Sequence, residues 1–373
     1  MRRADRISPF IVMDILKEAK SMEDVVHMEI GEPDLDPPPG VIEALYRAIR
    51  ERKYFYTPSL GLWELRERIA EHYYDYYGVE LSPSRVVITT GTSGAFLVAY
   101  AILLNAGDRI ALPDPSYPCY KNFAYLLDAD VSFIKVDSIS GYKIRPEHLE
   151  ELKDIKVIHI TSPSNPTGTL YDQQELESLI SYCDERGITL ISDEIYHGLV
   201  YDKRERTALE YSQRAIVING FSKFFCMPGF RLGWMILPTE DMVREAELII
   251  QNVYISAPAI SQYAALEAFD YEYLNHVRET YKRRRDLLYQ ELGDVLDIDA
   301  YPDGAFYLWA DVSRYEVDGY TLSSKLLREA KVAVTPGLDF GKNNTEKYIR
   351  LSYTRDEGTL KEGAKRIKGY LMR

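Results

Sequence analysis

The fold class is decided by the stretch Val157-Ile158-His159-Ile160-Thr161-Ser162-Pro163-Ser164-Asn165-Pro166-Thr167-Gly168. Its first five residues form a short, mostly apolar run. A run of this kind, without strict alternation of apolar and polar residues, is typical of a strand buried on both faces of a parallel sheet. The two prolines that follow do not fit the interior of a sheet. The stretch therefore predicts an internal strand that ends in a polar loop.

Four further runs of the same character predict the rest of a sheet, at residues 86–90, 109–112, 189–192 and 215–218. Segments with the apolar spacing of a helix lie at residues 9–20, 41–52, 62–77, 94–104 and 176–186. The last of them is followed by Gly187, as expected for a C-terminal helix cap. The alternation of strands and helices predicts an α/β fold, in which helices cover both faces of a mostly parallel sheet.

The pattern changes after about residue 270. A long polar helix is predicted over residues 271–291, and we interpret its basic run Lys282-Arg283-Arg284-Arg285 as a solvated helix face. A second, smaller α+β domain is indicated by predicted strands at 306–309 and 348–351 and helices at 322–331 and 360–372. The proline-rich stretch 31–40 is predicted to be a fixed loop or a bridge between domains.

Composition excludes several classes of protein. The chain has 373 residues, and 46% of them are hydrophobic, which is too many for a mostly disordered protein. Its 58 acidic and 45 basic residues give a net charge of −13, which argues against a nucleic-acid partner. The longest apolar run, residues 95–104, is shorter than the ~20 residues that a membrane-spanning helix needs. We therefore predict no membrane partner.

Neither a leader nor a metal site is apparent. The basic N-terminus is followed by the short apolar segment 7–13, which Asp14 interrupts, and no small-residue cleavage site follows. We therefore expect a cytoplasmic protein. The three cysteines, Cys119, Cys183 and Cys226, are far apart and form no CxxC pair, so neither a disulfide framework nor a zinc site is predicted.

The loops after the five predicted strands carry the candidate site. In an open parallel sheet, ligands bind beyond the carboxyl ends of the strands, where these loops meet. In chain order the loops are residues 91–94, 113–118, 162–168, 193–196 and 219–223. They bring polar, aromatic and ionisable side chains to one edge, which is typical of an active site. The Asn165–Pro166 bond in one of them is a candidate cis peptide.

The glycine-rich loop 91–94 has two interpretations. Its backbone N–H groups and the following helix could bind a phosphate. Alternatively, Thr92 or Ser93 could simply cap that helix. No GxGxxG motif lies beside the loop, and the stretch 337–343 lacks the spacing of a nucleotide-binding P-loop. We therefore exclude a nucleoside triphosphatase.

Four charged residues suit chemistry at this edge. Asp193 either caps the segment after its strand or provides a counter-ion for a cofactor nitrogen. Lys223 lies among apolar neighbours, and a desolvated lysine with a lowered pKa can act as a base or form a Schiff base with a carbonyl. Arg231 suits a phosphate because it forms forked hydrogen bonds. Arg350 either pairs with a carboxylate of the protein or binds a substrate carboxylate.

At these residues the chain resembles the fold-type I pyridoxal-phosphate enzymes, and specifically the class I/II aminotransferases related to aspartate and aromatic aminotransferases. The matching motifs are Gly31-Glu32-Pro33-Asp34, Tyr56-Thr57-Pro58-Ser59-Leu60-Gly61, Ser164-Asn165-Pro166-Thr167-Gly168, Ser192-Asp193-Glu194-Ile195-Tyr196 and Ser222-Lys223 followed by Gly229-Phe230-Arg231-Leu232-Gly233. They occur in the order and spacing of the family, and the resemblance covers about residues 5–370.

The resemblance implies a role for each matching residue around pyridoxal 5′-phosphate, and a catalytic one for Lys223, Asp193 and Tyr196. Lys223 would bind the cofactor covalently and then shuttle a proton, while Asp193 would pair with the protonated pyridine nitrogen. Tyr196 and Asn165 would hydrogen-bond the phenolic oxygen, and Tyr117 would stack on the ring. The phosphate would be held by Gly91, Thr92, Ser93, Ser222 and Arg231.

The resemblance also implies a partner and a domain division. Tyr56 would reach the phosphate from the neighbouring subunit, so a homodimer is implied. The substrate α-carboxylate would be bound by Gly31, Asn165 and Arg350. A large cofactor domain would span residues 41–270, and a small domain would combine residues 1–40 with 271–373.

The activity implied is transfer of the α-amino group of an L-amino acid to a 2-oxo acid such as 2-oxoglutarate, with ping-pong kinetics. One alternative is a pyridoxal-phosphate lyase that eliminates a β-substituent on the same scaffold. Formation of glutamate from 2-oxoglutarate would separate the two. A binding module without turnover is a second alternative, and the intact set of Lys223, Asp193 and Arg350 argues against it.

The preferred donor stays open between acidic, aromatic and aliphatic amino acids. Some aspartate-preferring relatives place a lysine near the position of Ser93, and no second arginine is evident for a side-chain carboxylate. The tyrosine-rich N-terminal half could equally line an aromatic or aliphatic pocket. Segment 7–13 is predicted to pack at the mouth of the site and to help set specificity, and the alternative is a merely docked amphipathic helix.

Overall fold

The computed structural model describes residues 2–373, so Met1, which the predicted small domain includes, lies outside the described residues. The strands are β1 (Val26–His27), β2 (Val86–Thr89), β3 (Arg109–Asp114), β4 (Asp130–Lys135), β5 (Ile155–Thr161), β6 (Thr189–Asp193), β7 (Ile216–Gly220), β8 (Gly233–Ile236), β9 (Tyr307–Asp311), β10 (Val332–Ala333), β11 (Thr335–Pro336) and β12 (Tyr348–Ser352). The helices are α1 (Ile11–Lys20), α2 (Pro39–Arg50), α3 (Trp63–Tyr77), α4 (Gly91–Leu103), α5 (Cys119–Leu126), α6 (Gln173–Arg186), α7 (Glu240–Val253), α8 (Ala259–Ala265), α9 (Tyr271–Leu292), α10 (Gly319–Lys325) and α11 (Glu357–Leu371).

A seven-stranded sheet forms the centre of the molecule, with the order β2-β8-β7-β6-β5-β3-β4. All neighbours are parallel except β8, which is antiparallel to both β2 and β7. The five predicted strands therefore run in one direction, and their carboxyl ends lie at one edge. Thr161 pairs with Asp193, and Asp193 pairs with Ile218, so the register fixes which loops meet there. The predicted α/β fold with a mostly parallel sheet is confirmed.

Two strands of this sheet were not predicted. Strand β4 lies at the edge, and most of its residues are at least partly exposed, so it lacks the continuous apolar run that marks the inner strands. Strand β8 is fully buried but only four residues long, and its first residue belongs to the Gly229–Gly233 motif. Because β8 is short and begins with a glycine, a search for apolar runs does not detect it.

Two small sheets join distant parts of the chain. Strand β1 pairs in parallel with β10, where Val26 lies opposite Val332. Strands β11, β12 and β9 form an antiparallel sheet, in which Arg350 lies between Thr335 and Trp309. Segments from before residue 40 and after residue 271 thus pack together. The domain boundaries at residues 40 and 270 stay a prediction.

The interpretation of the basic run on α9 as a solvated face is wrong for two of its residues. Arg284 is buried and makes two hydrogen bonds to the carboxylate of Asp34, at 2.6 and 3.0 Å. Arg285 is also buried, and it donates to Asp202 at 2.6 Å and to Asp286 at 2.8 Å. The spacing on the helix could not reveal this, because two of these three acidic partners come from distant loops.

Helix α6 ends as predicted, because Gly187 adopts a left-handed conformation with φ of 65°. The same helix begins with a reciprocal pair of hydrogen bonds between Asp172 and Glu175.

Within residues 2–373, none of the helices is both long enough and apolar enough to cross a membrane.

Candidate active site

A cavity of about 260 Å³ opens at the carboxyl edge of the central sheet. Of the residues predicted for the site, those that line it are Gly31, Thr92, Tyr117, Asn165, Asp193, Tyr196, Lys223 and Arg350. Residues from the ends of β6 and β7 form one wall. The opposite wall comes from the N-terminal segment and from the strands after residue 300. Lys223 and Asp193 thus face the same space.

Lys223 lies just after β7 and is partly buried beneath the N-terminal loop. Its Nζ donates a hydrogen bond to the backbone carbonyl of Gly31 at 2.7 Å. Burial, together with the nearby positive charge of Arg350, lowers the pKa of this amine to about 8. The ammonium is therefore destabilised, and a substantial neutral fraction is present near neutral pH.

Asp193 is the last residue of β6 and is only 2% exposed. Its Oδ2 accepts a hydrogen bond from the Tyr120 hydroxyl at 2.5 Å, and its Oδ1 accepts one from the backbone N–H of Ile195 at 3.1 Å. Burial raises the pKa of this carboxyl to about 7, although both hydrogen bonds oppose the shift. Asp193 therefore both caps the following segment and presents a buried carboxyl to the cavity.

Arg350 projects from β12 and is held by neutral oxygens. Its Nη1 donates to Oδ1 of Asn165 at 2.9 Å, and its Nη2 donates to the carbonyl of Glu29 at 2.6 Å. Its Nε is buried and has no hydrogen-bond partner. The guanidinium also lies 4.2 Å from the centre of the Tyr307 ring. The Asn165–Pro166 bond beside it is cis, as predicted.

Two tyrosines complete the wall near Lys223. Tyr196 is buried, its hydroxyl lies 2.8 Å from that of Tyr307, and burial raises its pKa well above the ordinary value. The ring of Tyr117 lies 5.4 Å from that of Tyr120 and 6.2 Å from that of Phe10, measured between centroids. Tyr117 thus contacts aromatic residues from both walls of the cavity.

The start of α4 has free N–H groups beside Arg231. The helix begins at Gly91, so Thr92 and Ser93 lie inside its first turn, and its N-cap residue makes no capping hydrogen bond. The interpretation of Thr92 or Ser93 as a simple cap is therefore wrong. Gly91 has φ of 68°, and a Cβ there would lie 2.7 Å from Nη2 of Arg231. Glycine thus lets the guanidinium approach the helix start. Partly buried Ser222 immediately precedes Lys223.

Tyr56 is, like Arg231, a predicted site residue that is exposed in a single chain. It is 80% exposed and does not line the cavity. Its neighbours Tyr54 and Phe55 are also exposed, by 50% and 65%. Its contribution to a neighbouring subunit stays a prediction.

The charged residues of the site make no close ion pairs within the described residues. Within residues 2–373, none of the ion pairs with a nitrogen–oxygen distance up to 4.0 Å includes Lys223, Asp193, Arg231 or Arg350. The interpretation of Arg350 as the partner of a protein carboxylate is therefore wrong. Unpaired charges at a cavity are costly unless a ligand neutralises them.

Comparison with known proteins agrees with this arrangement. The family model "Aminotransferase class I and II" matches residues 23–367. The chain is 36% identical to a valine–pyruvate aminotransferase of Mycobacterium tuberculosis, over 98% of this chain and 97% of that protein. It is 34% identical to a probable aspartate aminotransferase of Methanocaldococcus jannaschii, over 94% of both chains. A crystal structure of an aminotransferase from Mycobacterium tuberculosis superposes with a TM-score of 0.96 at 36% identity, covering 100% of this chain and 98% of that one.

The chain belongs to the class I/II aminotransferases. This aminotransferase has the fold-type I architecture of its structural neighbours, and the family depends on pyridoxal phosphate. The residues present fit that cofactor. The N–H groups at the start of α4 and the side chain of Arg231 suit its phosphate, a buried carboxyl at Asp193 suits a ring nitrogen, and the amine of Lys223 suits an aldehyde.

Several residues at this aminotransferase site were missed from the sequence. Tyr120 lies in the first turn of α5, and its hydrogen bond to Asp193 joins segments that are 73 positions apart in the chain. Tyr307 lies in a predicted strand, but its hydroxyl contact with Tyr196 depends on packing between distant segments. Asp339 and Phe340 also line the cavity, and no local pattern marks them.

Proposed function

We propose that this aminotransferase moves the α-amino group of an aspartate, aromatic or aliphatic L-amino acid to a 2-oxo acid such as 2-oxoglutarate, with ping-pong kinetics. The observation that carries the proposal is the set of unpaired charges at one cavity. Asp193, Lys223 and Arg350 supply a carboxylate, an amine and a guanidinium to the same space. These are the groups that a protonated pyridine, an aldehyde and an α-carboxylate require.

The cofactor would be held mainly by the central sheet. When bound, pyridoxal phosphate supplies an electron sink for the bond-breaking steps at the substrate Cα. Asp193 would keep the ring nitrogen protonated, and Tyr196 and Asn165 would donate hydrogen bonds to the phenolic oxygen. Tyr117 would cover one face of the ring. The phosphate would be bound by Gly91, Thr92, Ser93, Ser222 and Arg231.

Lys223 would carry the proton. A neutral Nζ could take a proton from the substrate Cα and deliver it to the carbon that comes from the cofactor's aldehyde group. Its pKa of about 8 leaves roughly a tenth of the amine neutral at pH 7. In the chain without cofactor, the carbonyl of Gly31 lies 2.7 Å from Nζ and holds the amine at the edge of the cavity.

Arg350 would orient the substrate through its α-carboxylate. A guanidinium binds a carboxylate with two parallel hydrogen bonds, which fixes the direction of Cα relative to Lys223. Asn165 holds Nη1 of Arg350 at 2.9 Å, so the fork is preorganised. The backbone of Gly31 would complete this subsite.

A homodimer is part of the proposal. The contiguous aromatic residues Tyr54, Phe55 and Tyr56 are exposed by 50%, 65% and 80%, and exposed apolar groups of this kind favour burial by a partner. Arg231 is also exposed in a single chain, which leaves its side of the cavity open for Tyr56 of a neighbouring subunit. Sedimentation equilibrium should therefore give twice the chain mass. A cytoplasmic location stays a prediction.

The proposal is tested in two half-reactions. The holoenzyme is mixed with one L-amino acid and no 2-oxo acid, and we expect one equivalent of 2-oxo acid per subunit and then no further product. Addition of 2-oxoglutarate should then yield one equivalent of glutamate. Continued release of ammonia without an acceptor would instead identify a β-eliminating lyase.

A further inference from the structure

We propose that the side-chain part of this cavity favours apolar, monocarboxylic substrates over substrates with a second carboxylate. The inference rests on the proposed function and narrows its substrate class. The names of the relatives do not decide the matter, because one is named for valine and another for aspartate. The residues that line the cavity indicate the substrate class.

The wall opposite the sheet is largely apolar. Phe10, Val12 and Met13 reach the cavity from the N-terminal segment, and Ile30 and Phe340 add to the same lining. The ring centre of Phe340 lies 4.7 Å from the guanidinium carbon of Arg350, so this lining is next to a substrate that is held there by its α-carboxylate. Burial of an apolar side chain against such a surface is favourable.

Asp339 fixes this wall in place. Its two carboxylate oxygens accept the backbone N–H groups of Ile11 and Val12, at 2.9 and 3.1 Å. Asp339 is only 6% exposed, and it sits at the N-terminus of α1, where a negative charge is favoured. These hydrogen bonds hold the start of α1 against the cavity. Asp339 thus acts as a positioning residue for Phe10, Val12 and Met13.

The charges of the lining oppose an acidic side chain. Within residues 2–373, the basic residues that line the cavity are Lys223 and Arg350 alone, and both have roles at the reacting end of the substrate. The three other charged residues of the lining, Glu29, Asp193 and Asp339, are acidic. A second substrate carboxylate would thus be buried near like charge without a counter-ion, which is unfavourable.

Both half-reactions use the same cavity, so the selection applies to the acceptor too. The 2-oxo acid of leucine should therefore accept the amino group better than 2-oxoglutarate does. Leucine and aspartate are a well-matched pair of donors, since both branch at Cγ and differ mainly in methyl groups against charged oxygens.

The experiment measures single-turnover rates of the holoenzyme with leucine and with aspartate. We expect kcat/KM to be at least ~10-fold higher for leucine. Binding of the unreactive 4-methylpentanoate and succinate to the same holoenzyme is measured by calorimetry, and the former should bind more tightly. Equal or faster reaction of aspartate, or tighter binding of succinate, would overturn the inference. If neither donor reacts, the proposed function fails, and calorimetry still decides the selectivity.

Two variants test the residues that carry the selection. Val12→Arg places a cation on the apolar wall and should raise the ratio of aspartate to leucine turnover by ~10-fold. Met372→Arg, at a position that is 66% exposed and outside the cavity lining, is the matched control and should not change that ratio. An unchanged ratio in Val12→Arg would contradict the placement of the side chain.

Asp339→Ala removes the two hydrogen bonds that hold the start of α1. It should raise KM for leucine several-fold with a smaller change in kcat. Asp339→Asn retains one acceptor oxygen and should restore part of the loss. A fall in kcat alone, or no recovery in Asp339→Asn, would show that Asp339 does not position this wall.

Discussion

The two walls of the cavity are assembled in different ways. The wall that carries Asp193 and Lys223 consists of strand ends within one sheet, where each side chain is positioned by the register of its neighbours. The opposite wall joins segments that are far apart in the chain, and the contact between Ile11 and Asp339 spans 328 positions. In the proposed function, the first wall supplies the groups of the reaction, and the second supplies the groups that meet the substrate.

This difference indicates how the two walls respond to change. Asp193 is buried at a strand end, so we expect its replacement to remove a chemical group with little change in the surrounding structure. The second wall depends on a few hydrogen bonds between loops and helix ends, so replacements there shift position and affinity. Losses of rate should therefore dominate at the first wall, and changes in substrate preference at the second.

The largest effect is expected from Lys223→Ala. The variant should lose covalent attachment of pyridoxal phosphate and at least ~10³-fold in kcat, because both nucleophile and proton carrier are gone. Absorbance after dialysis and a transamination assay measure the two losses. Lys156→Ala is the control, since Lys156 is exposed and pairs with Asp108 at the surface. Substantial activity in Lys223→Ala would refute the assignment.

Asp193→Asn should lower kcat by ~10²-fold, because a neutral amide does not hold a proton on the ring nitrogen. Asp193 is buried, and the amide keeps its size, so the fold should be retained. Circular dichroism and steady-state kinetics check both points. Asp24→Asn serves as control, because that side chain is 78% exposed. A rate within twofold of the unaltered enzyme would contradict the role.

Gly31→Ala tests the junction of the two walls. A Cβ at Gly31 would lie 1.9 Å from the hydroxyl oxygen of Tyr307, so either the loop or the ring must move. We expect a loss of ~10-fold in kcat/KM and a destabilisation of about 1–3 kcal/mol, measured by kinetics and thermal unfolding. The double variant Gly31→Ala/Tyr307→Phe removes the nearest clashing atom and should recover part of both. If neither kcat/KM nor stability recovers in the double variant, the contact with the Tyr307 hydroxyl is not the cause of the strain.

The smallest expected effect is a shift in pH dependence. Attachment of pyridoxal phosphate to the cofactor-free protein requires neutral Lys223, whose pKa is lowered to about 8. The rate should therefore rise with pH and level off above a midpoint of about 8. Arg350→Gln removes a positive charge that lowers this pKa, so the midpoint should move upward. Arg328→Gln, an exposed residue paired with Glu18, should leave the midpoint in place.

The sheet wall was largely predictable from the sequence. Apolar runs locate the strands, and their ends identify Asn165, Asp193 and Lys223 as candidates for one edge, which the structure brings together. The substrate wall was not, because Asp339 and Tyr307 carry no local signal and meet their partners only after folding. Segment 7–13 was placed correctly at the mouth, since Phe10, Val12 and Met13 line the cavity.

The wrong predictions on α9 concern charged residues whose sequence pattern fits an exposed position as well as a buried one. Arg284 and Arg285 resemble surface residues on a polar helix, yet both are buried against carboxylates. Asp34, the partner of Arg284, belongs to the Gly31-Glu32-Pro33-Asp34 motif. That motif was singled out for its resemblance to the family and not for this ion pair. Helical spacing reports which residues share a face, and it does not report what covers that face.

The parallel pairing of β1 with β10 has a consequence for synthesis of the protein on the ribosome. Val26 and His27 are made early, but their partners Val332 and Ala333 emerge only near the end of translation. A nascent chain released after residue 300 would contain every strand of the central sheet and yet lack Arg350. Such a product would contain the strands that carry the proposed coenzyme site and would lack the arginine of the proposed α-carboxylate site.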